Sequence, residues 1–162
     1  MKSIIIRYSL ALLVAIFSSY LTIILLPWTL YSTYFFLDLF LDPILKDSTI
    51  ILNGISFTII PACTALLAYI LLIELILFTR NISLKNSLKL FFLGSAMIFI
   101  MNLLRILILI FIHLNFGKNY FDAMHLIFWH IVSTLFIAFV WIFLIETYQI
   151  KSIPIYSDLK SL

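Results

Sequence analysis

Pro61-Ala62-Cys63-Thr64-Ala65-Leu66 opens one apolar run of the chain, and Asn102-Leu103-Leu104-Arg105 lies deep inside the next. Between them, Arg80-Asn81-Ile82-Ser83-Leu84-Lys85-Asn86-Ser87-Leu88-Lys89 is too polar to remain in lipid and marks one membrane surface. The pattern reads as a helical hairpin that holds the single cysteine and an arginine remote from that surface. Cys63 precedes Arg80 by 17 residues and Arg105 follows Lys89 by 16, which places both about 25 Å from the basic link and level with each other. In a hydrocarbon core about 30 Å thick, that depth is just beneath the opposite interface, within reach of a peptide arriving from water. Glu74, the one acid in the two runs, is six residues from Arg80 and so only about 9 Å deep, a poor match for Arg105.

With 65% hydrophobic and 10% charged residues in 162, the chain is an integral membrane protein. The expected fold is all-α: a single transmembrane domain over residues 1–162, with about four spans near 8–27, 61–79, 88–114 and 121–148. Basic residues are scattered singly and form no stripe, so the net charge of +3 points to membrane topology and not to nucleic acid. One cysteine excludes an intramolecular disulfide and a cysteine-cluster metal site, leaving a free thiol that is either a small core hydrophobe or a nucleophile.

Working outward, the basic leader Met1–Arg7 precedes an apolar run that closes at Pro27-Trp28, and no small-x-small cleavage site follows it, so a retained first span is expected. Residues 30–45 carry Asp38 and Asp42 four apart, as on one face of an interfacial helix at the extracytoplasmic surface or of a continued first span. From Ser48 to Ile60 the period changes to two, with Asn53-Gly54 between the halves, which predicts a small β-hairpin just before the cysteine. Such a ribbon frames the entrance of a site and offers an extended substrate backbone something to pair with. Gly94 and Ser95 supply small packing positions in the third span. Four spans place Lys2, Arg7, Arg80, Lys85, Lys89, Lys151 and Lys160 on one side against Lys46 and Lys118 on the other, which makes the basic side, with both termini, cytoplasmic.

Pro61 suits the first position of a helix, and Cys63 then falls in the first turn among unsatisfied N–H groups. His125, near the start of the last span, enters from the same side and suits a base for the thiol and an acid for a leaving amine. His130 is turned about 140° from it, and His113 is a further rival; three histidines at these spacings match no metal-ligand pattern. Arg105 offers a planar donor fork for a substrate carbonyl or an oxyanion, and Asn102, one turn earlier, can orient it or bind substrate backbone, with Thr64 beside the cysteine as a second substrate contact.

Ala62-Cys63-Thr64-Ala65-Leu66, Asn102-Leu103-Leu104-Arg105-Ile106, and Phe121-Asp122-Ala123-Met124-His125 followed by Trp129 together resemble the exosortase/archaeosortase family of membrane cysteine transpeptidases, in a short, archaeal-looking form. The glycine often found two residues after that family's cysteine is Ala65 here. The resemblance implies Cys63 as nucleophile, Arg105 assisting the transition state and His125 as the proton-transfer residue. It also implies substrates that are exported proteins ending in a short motif, a transmembrane helix and a basic tail, with transfer to a lipid or other acceptor and no cofactor. The alternative from another class is a non-enzymatic small membrane subunit or assembly factor, which requires a structural counter-charge for Arg105.

Overall fold

The computed structural model describes residues 2–80, 82–150 and 154; of the C-terminal segment, Lys151 and Lys160 lie outside them. Helix α1 (Lys2–Ile16) is followed after Phe17 by α2 (Ser18–Asp38), which passes straight through Pro27. The expected span 8–27 is therefore split near its middle and not ended by its proline. Proline removes one donor and crowds the preceding turn, a cost that neighbouring helices absorb inside a membrane bundle. Here Trp28, the next residue, meets Phe99 edge to face with ring centroids 6.5 Å apart, and buried Thr33 donates to the Thr29 carbonyl at 2.7 Å.

No separate interfacial helix spans residues 30–45. Their first part completes α2, which ends at Asp38, and their last two residues begin strand β1 (Ile44–Lys46), so Asp38 and Asp42 do not share a helical face. Strands β2 (Thr49–Leu52) and β3 (Ile55–Thr58) complete an antiparallel sheet in the order β1-β2-β3, one strand larger than the expected hairpin. The turn of that hairpin is the expected one: Leu52 pairs with Ile55 across Asn53 and Gly54, whose φ of 50° and 78° are those of a type I′ turn. Ile50 and Leu52 point from the sheet into a core with Leu30 and Leu37 of α2, which closes one end of the bundle.

The chain then enters a single 3₁₀ turn (Pro61–Thr64), held by a hydrogen bond from Thr64 Oγ1 to the Pro61 carbonyl at 2.8 Å. Ala65 follows in the left-handed region (φ 54°, ψ 31°), and only then does helix α3 (Leu66–Phe78) begin. Pro61 thus opens a helix as expected, but Cys63 precedes the α-helix proper instead of lying in its first turn. At 13 residues α3 is about 20 Å long, shorter than a hydrocarbon core. A left-handed conformation costs a residue with a Cβ roughly 1–2 kcal/mol, and glycine is free of that cost. Ala65→Gly is accordingly expected to stabilise the protein by about 1 kcal/mol, read as a later midpoint in detergent unfolding; an unchanged or earlier midpoint would show that no strain resides there.

Helix α4 (Leu84–Phe116) runs for 33 residues, opened by the Ser83 hydroxyl accepting from the Asn86 N–H. It starts four residues before the expected span and so carries Lys85 and Lys89 on its first turns. Helices α5 (Lys118–Ile127) and α6 (Ser133–Thr147) form one continuous rod joined by a π-helical turn, Phe128–Val132, close to the expected 121–148 span. Among the described residues, three helices are long and apolar enough to cross a membrane, Ser19–Asp38, Leu84–Phe116 and Lys118–Thr147, with shorter apolar helices at Ile4–Ile16 and Leu66–Phe78.

Gly94 of α4 is where the second core closes. A Cβ there would lie 2.8 Å from Leu72 of α3 and 3.0 Å from Leu144 of α6, so the missing side chain is what lets both helices approach α4. At the same end, Arg7 Nη1 of α1 donates to the Leu77 carbonyl in the last turn of α3 at 3.4 Å, and Tyr148 lies beside Lys85 and Lys89. The sheet, Cys63 and the C-terminal end of α4 occupy the opposite end.

Candidate active site

Cys63 is half-buried in the 3₁₀ turn, and two bonds fix its backbone. Its N–H donates to the Ile60 carbonyl at 2.8 Å, and its own carbonyl accepts from Asn102 Nδ2 of α4 at 2.8 Å. A carbonyl can only accept, so the partner must be the amide nitrogen and not the amide oxygen. Asn102, expected to orient the arginine or bind substrate, ties the cysteine-bearing turn to the long helix through Nδ2, while its Oδ1 stays buried and unpartnered. Thr64, expected as a substrate contact, is 1% exposed with its hydroxyl committed to the turn, and it lines no part of the cavity.

One turn beyond Asn102 on α4, Arg105 is 6% exposed. Its Nε is buried without a hydrogen-bond partner, and among the described residues no carboxylate pairs with the guanidinium. The alternative reading, a non-enzymatic subunit, expects such a counter-charge. The guanidinium is instead within electrostatic reach of the Cys63 thiol.

Both residues open onto a cavity of about 220 Å³, together with His125 of α5 and His113 of α4. Its remaining wall is Ser56, Phe57 and Thr58 of β3, Ile59 just after it, Phe121, and the α4 side chains Ile106, Leu109 and Ile110. His125 sits between Phe121, centroid 5.7 Å away, and Trp129, stacked at 6.2 Å and 15°. His113 is held edge-on between Phe57 at 5.2 Å and Phe121 at 5.3 Å. The Nδ1 atoms of both imidazoles are buried and unpartnered.

His130 does not reach this cavity. It lines a separate one of about 530 Å³ between the 3₁₀ turn, α3 and α6, in which Arg105 also forms part of the wall. The structure thus brings Cys63, Arg105 and His125 together, adds His113, and leaves His130 apart as its angular offset implies. The readable signal for His113 is its spacing on α4: Arg105, Leu109 and His113 recur every four residues and all face the cavity. The contribution of β3 beyond framing the entrance had no signal more specific than the alternation of its residues.

The sulfur, the guanidinium and the imidazole come from three separate elements, and apart from Ser56, Thr58 and His113 the rest of the cavity wall is apolar. Chemically, a thiol can act as a nucleophile, a guanidinium as a donor fork for developing negative charge and an imidazole as a proton carrier. A family model described as Transmembrane exosortase (Exosortase_EpsH) matches residues 2–146, from α1 almost to the end of α6. Neither the curated proteins nor the solved structures contain a match. The match spans nearly the whole chain, including the sheet, both cavity-bearing helices and the histidine-bearing rod: this protein belongs to the transmembrane exosortase family, a family of membrane transpeptidases.

Proposed function

We propose that this protein cleaves a C-terminal sorting signal of exported proteins through a thioester on Cys63 and passes the new carboxyl terminus to a lipid or another nucleophilic acceptor. The observation that carries the reading is the convergence of Cys63, Arg105 and His125 on one cavity, with no acid against the guanidinium among the described residues.

The His125 imidazole takes the thiol proton as Sγ attacks the scissile carbonyl, and the oxyanion that forms lies against the Arg105 guanidinium. Collapse breaks the C–N bond, and the departing amine leaves with the proton from His125. An acceptor hydroxyl or amine then gives its proton to the same imidazole and attacks the thioester; the C–S bond breaks and the thiol is restored. If water is the acceptor, the same steps amount to hydrolysis.

Asn102 acts as a positioning residue through the Cys63 carbonyl. Arg7, Arg80, Lys85 and Lys89 cluster at the end away from the sheet, which favours that end as cytoplasmic and sets the cavity near the extracytoplasmic face.

The test is capture of the intermediate. When the protein is co-expressed with an exported protein of the same organism that carries such a signal and is quenched in acid, mass spectrometry is expected to find the acyl group on Cys63, released by neutral hydroxylamine. Cleavage that proceeds with no adduct at Cys63 would sink the thioester.

A further inference from the structure

The sheet ends at β3, and among the described residues nothing pairs with the far side of that strand. Which groups it presents there follows from the register. Ile59 N–H donates to the Ser48 carbonyl at 2.9 Å, so Ile59 and Ser48 are a bonded pair. Bonded and non-bonded pairs alternate along an antiparallel ladder, which makes Phe57–Ile50 and Ile55–Leu52 the other bonded pairs. Ser56 and Thr58 are then the residues whose N–H and C=O groups point away from β2. The 3.0 Å approach of the Thr49 and Thr58 hydroxyls fits this assignment, since side chains stand closest in non-bonded pairs. No hydrogen bond from the described residues reaches the outward groups of Ser56 or Thr58.

Exposed strand edges are normally covered or blunted because they recruit other strands. This one is short, and it forms a wall of the cavity that holds Cys63, Arg105 and His125. Resting on the transpeptidase reading above, we infer that the outer edge of β3 binds the peptide substrate as an added strand, with Ser56 and Thr58 each exchanging an N–H and a C=O with it. The two residues are about 6.8 Å apart along the strand, so an extended segment of three substrate residues makes up to four backbone hydrogen bonds. The occupant must be extended peptide, because a helix has already used its backbone groups and a lipid chain has none. Recognition by backbone also leaves side-chain selectivity to alternate substrate positions, those that face Phe57 and the apolar wall.

Two arms test this. In the first, the full-length protein in nanodiscs is given a synthetic peptide copying the C-terminal signal of an exported protein from the same organism, with single N-methyl groups at successive residues. Protection of Cys63 from N-ethylmaleimide reports occupancy. Loss of protection of about tenfold at every second position supports the added strand. A loss that is uniform, absent or without period two overturns it.

The second arm follows processing of that exported protein in cells. Proline at position 58 removes an outward N–H and no ladder bond, a substitution that sheet edges accept. Thr58→Pro is expected to slow processing about tenfold more than Thr58→Val, which keeps the N–H. If Thr58→Pro equals Thr58→Val while Cys63→Ala stops processing, the strand proposal falls and the thiol reading stands. If Cys63→Ala processes normally, the thiol reading itself falls. Because N-methylation leaves the protein untouched, a folding defect in Thr58→Pro cannot mimic a positive result in the first arm.

Discussion

Cys63→Ala is expected to abolish processing of a signal-bearing exported protein, by roughly 10⁴-fold or more, while the variant accumulates in the membrane at the level of the parent. The size follows from what is removed: without sulfur there is no thioester, and Arg105 and His125 retain only the ability to polarise and to carry a proton for water. Accumulation should persist because the turn is not held by the thiol. It is held by the Ile60 carbonyl on the Cys63 N–H, by the Pro61 carbonyl on the Thr64 hydroxyl, and by Asn102 on the Cys63 carbonyl. All three survive truncation at the β-carbon. Cys63→Ser separates size from chemistry, since the hydroxyl fits the same space but is a far weaker nucleophile at neutral pH. Pulse-labelled maturation of the exported protein, followed by gel mobility, gives the readout, and maturation at the parental rate in Cys63→Ala would leave no role for the sulfur.

The hairpin around Cys63 and Arg105 could be read because two of its signals are physically strong. A polar link cannot stay in hydrocarbon, and Asn53-Gly54 between alternating residues fits one kind of turn. The departures all arise where local sequence admits two structures. Pro27 breaks a helix in water, yet α2 continues through it beside α4 and Trp28 packs on Phe99. Ile44-Leu45-Lys46 is as good a helix end as a strand, and only pairing with β2 decides it. The left-handed Ala65 is invisible in composition, although the glycine common in the resembling family at that place has its physical reason here. That kink matters for the depth count, which assumed an unbroken α-helix from Cys63 to Arg80. The count nonetheless put the cysteine and the arginine at one end of the bundle, because one 3₁₀ turn alters the rise by only about 2 Å.

For Arg105 the expected results have opposite signs for activity and stability. Arg105→Lys should lower kcat/KM by about 10²–10³, the scale seen when a donor to an oxyanion is lost, and Arg105→Met should lower it at least as far. Lysine keeps the charge but concentrates it at one strongly hydrated point on a flexible stem. From a site 6% exposed it will turn towards water and not present two fixed donors to the carbonyl. Folding should respond the other way. A buried cation whose Nε has no partner, and which no carboxylate neutralises among the described residues, costs the folded state energy. Removing it in Arg105→Met leaves no orphaned acid behind and fills the same volume with an apolar chain. That variant is expected to unfold later in detergent than the parent, by about 1–3 kcal/mol, while losing its turnover. A structural arginine gives the reverse: its loss destabilises, and activity falls only in proportion to the protein that remains folded. Measuring turnover per folded molecule beside the unfolding midpoint separates the two cases. A destabilised Arg105→Met with parental turnover per folded molecule would remove the guanidinium from the mechanism, and with it the reason for its isolation inside the bundle.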